Sequence, residues 1–269
     1  MQSTDHFEFS KSSCRTTQFA PKYLNRYIRN FTVYKFEDTT PLMMYPGGYL
    51  EFIFQIHCDF EQYSIQSENR QTRPMNFVGG LHNQSFYIKP KQQNAQVISV
   101  KFKPDCAKYF IPDRLNLFKN KIVNLDDVIP GKKKHQIENL TANIETQERL
   151  DRIESFLMEI FRENNSSQIN RAVYEIYHQK GFVTIETLAG KVCLSPQQFR
   201  KRFNEEVGLS PREYARIVRI NHVLSLLRNK TASTLTQLTY QLGYFDQAHF
   251  IRDFKAVMGD SPKHFVGNA

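Results

Sequence analysis

The last hundred residues of this chain repeat themselves, and that duplication limits the possible folds more than any other feature. A shift of 51 residues superposes Phe199 on Phe250, Phe203 on Phe254, Gly208 on Gly259, Ser210-Pro211 on Ser261-Pro262 and Tyr214 on Phe265. Upstream the offset becomes 50, bringing Ile185 onto Leu235, Leu188 onto Leu238 and Val192 onto Leu242. The second copy therefore carries an extra residue in its turn, near Gly243-Tyr244-Phe245.

Each copy reads as helix, turn, helix. Thr184 can accept hydrogen bonds from the free N–H groups that open the first helix. Ser195-Pro196 opens the next: a serine N-cap followed by a proline, whose missing N–H would have had no partner at that position. Phe199 and Phe203, four apart, give this helix its buried stripe, as Phe250 and Phe254 do in the second copy. Gly243 is placed to end a helix in the left-handed conformation, Asp246 to cap the one that follows, and Gly208 and Gly259 to stop the two second helices. A further Ser-Pro start, Ser210-Pro211, opens a long connecting helix to about Arg228, with Ile217, Ile220, Leu224 and Leu227 along one side. At ~1.5 Å per residue it spans on the order of 28 Å, close to the ~34 Å between successive major-groove openings on one face of a DNA duplex.

The outer faces of the two second helices carry the chemistry. Gln197, Arg200, Lys201 and Asn204 share a face opposite the phenylalanines, and Gln247, Ile251, Arg252 and Lys255 do so in the second copy. Arginine pairs bidentately with guanine, glutamine or asparagine with adenine, and an aliphatic group such as Ile251 suits a thymine methyl. Arg216 and Arg219, on the polar side of the connecting helix, are candidates for backbone phosphates. Charge agrees with this location. Residues 167 to 269 hold 14 Lys and Arg against 8 Asp and Glu, so they carry +6 of the chain's net +9. Such an excess attracts phosphate backbones without specifying a fold.

The stretch from Gly243 through Lys255, followed by Gly259-Asp260-Ser261-Pro262 and Phe265, resembles the second helix-turn-helix signature of AraC/XylS-type transcription regulators. Leu188-Ala189 through Ser210-Pro211-Arg212-Glu213-Tyr214 is similar to the first unit of the same family. The resemblance implies a seven-helix DNA-binding domain with recognition helices at 195–207 and 246–258, and by position it carries DNA contact over to Gln197, Arg200, Lys201, Gln247 and Arg252. It also implies RNA polymerase as a partner and activation as the sign of regulation. One departure stands out: the family places arginine directly after the last aromatic, where this chain has Val266.

Residues 30 to 103 differ in kind. Short runs rich in β-branched and aromatic residues (49–56, 76–78, 86–88, 97–102) are punctuated by Pro46-Gly47-Gly48, Gly79-Gly80 and Pro90, which predicts a β-rich block. Helical spacing returns over 105–119 and 136–162, and the polar run Asn164-Asn165-Ser166-Ser167 marks a boundary. The expected organisation is an α+β multidomain chain. A β-rich regulatory or dimerisation domain with trailing helices occupies 1–163, a linker 164–168, and an all-α double helix-turn-helix domain 169–269. The β-rich part is loosely similar to the cupin-like barrels that precede this unit in the family, where they bind a small effector, dimerise as homodimers, or both. The sequence leaves that choice open, as it does whether Tyr49, Phe52, Phe54 and Phe86 line a pocket or fill a core, and whether Lys132-Lys133-Lys134 touches nucleic acid or is a solvated loop.

Two other classes share part of this pattern. A non-specific architectural DNA-binding protein would use the same helices without sequence preference. A metal-dependent cupin-type enzyme needs a His/Glu cluster, and the β block offers His57 and His82, separated by 25 residues with no H-x-H pair. The four cysteines, Cys14, Cys58, Cys106 and Cys193, form no C-x-x-C pair and read as buried small hydrophobes rather than a zinc site or the reactive centre of an alkyl-acceptor repair protein. Dinucleotide, P-loop and nucleophile-elbow motifs are missing. No catalytic residue, metal or cofactor is therefore assigned, and a small-molecule effector is left open. With no apolar run of membrane-spanning length and no basic-then-apolar leader, the expected setting is cytoplasmic, away from membranes.

Overall fold

A computed structural model describes residues 14–56, 58–64, 70–129, 134–140, 144–163, 167–228, 239, 242 and 244–263. The N-terminal part is two antiparallel sheets. The larger runs in the order β1-β2-β9-β4-β7-β10 and the smaller in the order β3-β8-β5-β6. Their strands are β1 (Cys14–Phe19), β2 (Ile28–Phe36), β3 (Leu42–Met44), β4 (Glu51–Ile56), β5 (Phe60–Ser64), β6 (Gln71–Thr72), β7 (Asn76–Gly79), β8 (Phe86–Pro90), β9 (Ala95–Phe102) and β10 (Ile122–Asn124).

The alternation of side chains along a strand explains why the central strands carry large apolar residues on both faces. Phe31 and Val33 of β2, Phe52 and Phe54 of β4, and Ile98, Val100 and Phe102 of β9 enter one core. Their neighbours Tyr34 and Phe36, Ile53, and Ala95 and Val97 enter a second, with Phe60 and Ile88 of the smaller sheet. The first core continues into helices and the second lies between the sheets, so both faces of the large sheet are covered. Phe52 and Phe54 are core residues, fully buried. Tyr49 and Phe86 line a small inter-sheet cavity of about 60 Å³, together with Glu51, Gln55, Arg73 and His82.

After the sheets come α1 (Leu125–Val128), α2 (Lys134–Asn139), α3 (Thr146–Ile160), α4 (Ser167–His178), α5 (Ile185–Lys191), α6 (Pro196–Val207) and α7 (Pro211–Arg228), and finally a helix over Gln247–Met258, here α8. Residues 105–119 correct the expectation of a helix: they form two short 3₁₀ turns, Ala107–Tyr109 and Leu115–Phe118. Pro112 lies between them, and a proline pushes the residue before it out of the helical region. The helix expected upstream of Gly243, Gly243 itself, His57, and Lys132 and Lys133 lie outside the described residues.

The N-terminal part is not remote from the helices. The first core includes Leu81 and Leu115 on one side and Phe199, Phe203, Tyr214, Phe250 and Phe254 on the other. Ser85 donates from both its backbone N–H, at 2.8 Å, and its hydroxyl, at 3.2 Å, to the carbonyl of Val257 near the end of α8. The Lys108 ammonium reaches Glu206 near the end of α6 at 2.8 Å.

Candidate nucleic-acid interface

The two units are built by the same local rules. Ser195 caps α6 in a reciprocal box: its hydroxyl accepts from the Gln198 N–H while the Gln198 side chain accepts from the Ser195 N–H. Asp246 caps α8 by accepting from the His249 N–H at 2.6 Å. Both helices end in a left-handed glycine, Gly208 at φ +86° and Gly259 at φ +80°, whose N–H groups donate to Asn204 and Lys255 at 2.9 Å. Inside, Phe199 and Phe203 sit with ring centroids 5.6 Å apart and Phe250 and Phe254 with theirs 5.9 Å apart, all four fully buried. Burial of these rings fixes which side of each helix faces out.

On that outer side Gln197, Arg200 and Lys201 of α6, and Gln247, Arg252 and Lys255 of α8, are exposed. Asn204 and Ile251 are half-buried, Ile251 packing in part against the core. Arg200 faces Glu186 at 3.8 Å across solvent, a contact too exposed and loose to hold it. The surface thus presents guanidinium, amine and amide donors on two helices of matching design.

Helix α7 joins the units and repeats the serine-proline start. The Ser210 hydroxyl donates to Glu213 at 2.7 Å, and the Glu213 N–H donates back to that hydroxyl at 3.3 Å; Pro211 is buried. Glu213 also accepts from the Lys119 ammonium at 2.6 Å and the Asn83 amide at 3.2 Å. Burial alone would raise its pKa, but the bonds from Lys119, Ser210 and Asn83 outweigh it and hold the carboxyl at about 2.

Arg216 and Arg219, expected at phosphates, have another partner here. Arg216 Nε donates to Asp253 at 3.0 Å; Arg219 donates to the same carboxylate from Nε at 3.1 Å and from its terminal nitrogen at 2.8 Å, and to the Gly181 carbonyl at 2.7 Å. Asp253 is buried in α8, so this cluster bolts α8 onto α7. By the repeat, Asp253 occupies the place of Arg202 in the first unit, and Arg202 bonds Glu206 and Gln168. The charge reversal between Arg202 and Asp253 was the available signal for the cluster. Arg219 also lies over the Phe182 ring at 5.4 Å, which packs edge-on against Tyr244. Burial, followed by the Asp253 charge, pushes the Tyr244 hydroxyl up and keeps it protonated.

Cys193 corrects the expectation of four buried thiols: it is exposed, at φ +55° in the turn between α5 and α6, while Cys14, Cys58 and Cys106 are buried. His82 lies against the Phe86 ring at 4.2 Å. Burial and then the nearby Arg73 lower its pKa to about 3, so it stays neutral beside that cation. Among the described residues no three His, Cys, Asp or Glu side chains gather as a metal-holding group, and no helix is long and apolar enough to cross a membrane.

Fold and surface define a double helix-turn-helix chain, with two capped helices presenting polar and basic faces. Residues 188–268 match the helix-turn-helix domain family, and residues 17–124 match a domain of unknown function, DUF6597. Over this helix-turn-helix region the chain is similar to regulators of the AraC/XylS type. It is 31 % identical over 117 residues to the Msm operon regulatory protein of Streptococcus mutans, covering 42 % of each chain. It is 28 % identical over 102 residues to the HTH-type transcriptional activator RhaS of Enterobacter sp. strain 638, covering 38 % of this chain and 36 % of that one. The matched region thus spans about two fifths of each relative's length. The structure of ToxT from Vibrio cholerae is similar at a TM-score of 0.49 and 12 % identity, over 95 % of this chain and 98 % of that one.

Proposed function

We propose that this chain is a sequence-specific DNA-binding transcription regulator, acting as an activator. The observation that carries the reading is the duplicated helix, side-chain-capped at its start and stopped by a left-handed glycine in both copies, whose outward side chains are guanine- and adenine-reading types. The names of the relatives, a transcriptional activator and an operon regulatory protein, point the same way. In this reading α6 and α8 enter consecutive major grooves of an asymmetric site of roughly 17 to 20 base pairs, spaced by α7. Gln197, Arg200, Lys201 and Asn204 serve one half of the site, and Gln247, Ile251, Arg252 and Lys255 the other. Arg216 and Arg219 act first through Asp253, setting the angle of α8, and only Arg216 keeps an edge toward solvent. Residues 1–163 regulate, by homodimerisation or by an effector, residues 169–269 bind DNA, and RNA polymerase is the partner on the promoter, in the cytoplasm.

The test is recovery of bound fragments from sheared genomic DNA by the purified full-length protein at two salt concentrations, since phosphate attraction alone weakens steeply with salt. A bipartite motif with halves about one helical turn apart, persisting at the higher salt, is expected. Recovery without sequence preference, vanishing as salt rises, would instead mean an architectural protein. Within the recovered motif, Arg252→Ala is expected to lose about 1 to 3 kcal/mol and to relax preference at one base position.

A further inference from the structure

The second unit carries a side chain that packing does not account for. Phe245 lies in the turn before the cap of α8 and is 89 % exposed, the highest value among the described large apolar side chains. Its neighbour Tyr244 secures the turn: it is buried, with its ring 5.3 Å from that of Phe250 and 5.4 Å from that of Phe182. By the repeat, Tyr244 takes the place of Leu194 of the first unit: each packs on the core, and each N–H donates to the carbonyl five residues back, Leu194 to Ala189 at 3.0 Å and Tyr244 to Thr239 at 3.1 Å. Phe245 is therefore the residue that the second turn adds, and it faces outward.

Phe245 lines a concave surface of about 350 Å³ with Arg212, Arg216, Asp246, His249 and Arg252. Arg212, Arg216 and Arg252 share this surface with one carboxylate, Asp246, which accepts the His249 N–H, while Arg216 is itself tied to the buried Asp253 and leaves Arg212 and Arg252 as the surface's cations. The surface is thus a cationic rim around an exposed aromatic ring. A free inorganic anion would leave the ring in water, and an apolar peptide would desolvate the guanidinium groups without pairing them. Duplex DNA offers both complements side by side: phosphates along the backbone, and the 5-methyl group of thymine at the edge of the major groove.

From this arrangement we infer that Phe245 reads a base in the second unit: its ring packs on the methyl group of a thymine at the border of the half-site entered by α8, while Arg212 holds the flanking phosphate. The inference rests on the DNA-binding reading above and adds to it one named base and the group that recognises it.

The experiment uses the full-length protein and the duplex recovered by selection. Each thymine of the second half-site is replaced in turn by uracil, which removes only the methyl group. Wild-type protein is expected to lose about fourfold in affinity at one position, the factor that burial of a single methyl group corresponds to. Phe245→Ala is expected to bind the thymine and uracil duplexes at that position equally, and Phe245→Leu to restore part of the difference. Because the ring is exposed, unchanged thermal unfolding of Phe245→Ala is expected and confirms an intact fold. A wild-type protein indifferent to every uracil, or a Phe245→Ala protein that still loses fourfold, overturns the inference and leaves the DNA-binding reading standing. Failure to select any duplex overturns that reading, and the inference falls with it.

Discussion

Removing the Asp253 carboxylate separates a structural role from a DNA-contact role for the arginines on α7. The group is only 6 % exposed and accepts from two guanidinium groups whose side chains are 29 % and 14 % exposed. Asp253→Ala leaves both cations facing a space they cannot fill with solvent, and breaking a buried pair from one side costs about 3–5 kcal/mol. Arg219 keeps its bond to the Gly181 carbonyl, which places the expectation toward the lower end of that range. Asp253→Asn preserves shape and one acceptor oxygen, so a smaller loss is expected, about 1–3 kcal/mol. Urea unfolding of the full-length protein gives these differences directly, read at constant slope. The DNA effect should be lopsided: because the cluster orients α8 and not α6, Asp253→Ala should weaken discrimination in the second half-site and leave the first unchanged. A stability change under about 1 kcal/mol, or equal weakening in both halves, would refute the bolt and return Arg216 and Arg219 to the phosphates.

Three further outcomes follow from the packing. Glu213 is held at about 2 against an ordinary value of 4.5, so the folded protein binds fewer protons than the unfolded chain between those values. Its stabilisation is complete above pH 4.5 and fades as pH falls toward 2. The gap between wild type and Glu213→Gln in unfolding experiments should therefore shrink over that interval, and a pH-independent gap would contradict the assignment. Gly208→Ala must adopt φ +86° and place its Cβ 2.9 Å from the Leu115 carbonyl oxygen. The left-handed conformation alone costs about 1–2 kcal/mol, and the clash with backbone adds to it, so the loss measured by denaturation should exceed that figure. Phe254→Ala leaves a cavity in a small core and should cost about 3–5 kcal/mol; an unchanged midpoint would mean that α8 presents a different face.

Local grammar makes the helix-turn-helix half legible. Ser195-Pro196, Asp246, Gly208 and Gly259 fall at the caps their chemistry suggests, and phenylalanines four apart point inward in both copies. Strands β4, β7, β8 and β9 were legible for the same reason, as apolar runs bounded by glycine and proline. Strand β1, Cys-Arg-Thr-Thr-Gln-Phe, was not: it is a largely exposed edge strand, and an edge needs no apolar alternation to hold its place. The segment 105–119 misled because apolar spacing survives in 3₁₀ turns once Pro112 has removed the helix. The partners of Asp253 are hidden because a carboxylate on a predicted basic helix looks like a solvated residue until the arginines of another helix are placed beside it.

What no periodicity encodes is the contact between the N-terminal part and the far ends of α6 and α8 and the start of α7. Asn83 meets Glu213 across 130 residues of chain, Lys108 meets Glu206 across 98, and Ser85 meets the Val257 carbonyl across 172. The groups involved are an amide, an ammonium and a hydroxyl from connecting segments, residue types that each look like surface in isolation. Ser85 docks where a helix end leaves carbonyl groups without intrahelical partners, since Val257 belongs to the last turn of α8, while Asn83 and Lys108 meet the carboxylates of Glu213 and Glu206. The consequence is directional. These contacts take hold of α6 and α8 at their C-terminal ends and of α7 at its start, while Gln197, Arg200, Lys201, Gln247 and Arg252 stay exposed. A change in the N-terminal part that shifted the segments carrying Ser85 and Lys108 would thus act on the angle between the two helices without touching any of these exposed side chains. Of the two readings of the N-terminal part, effector binding or dimerisation, either would have this same mechanical outlet.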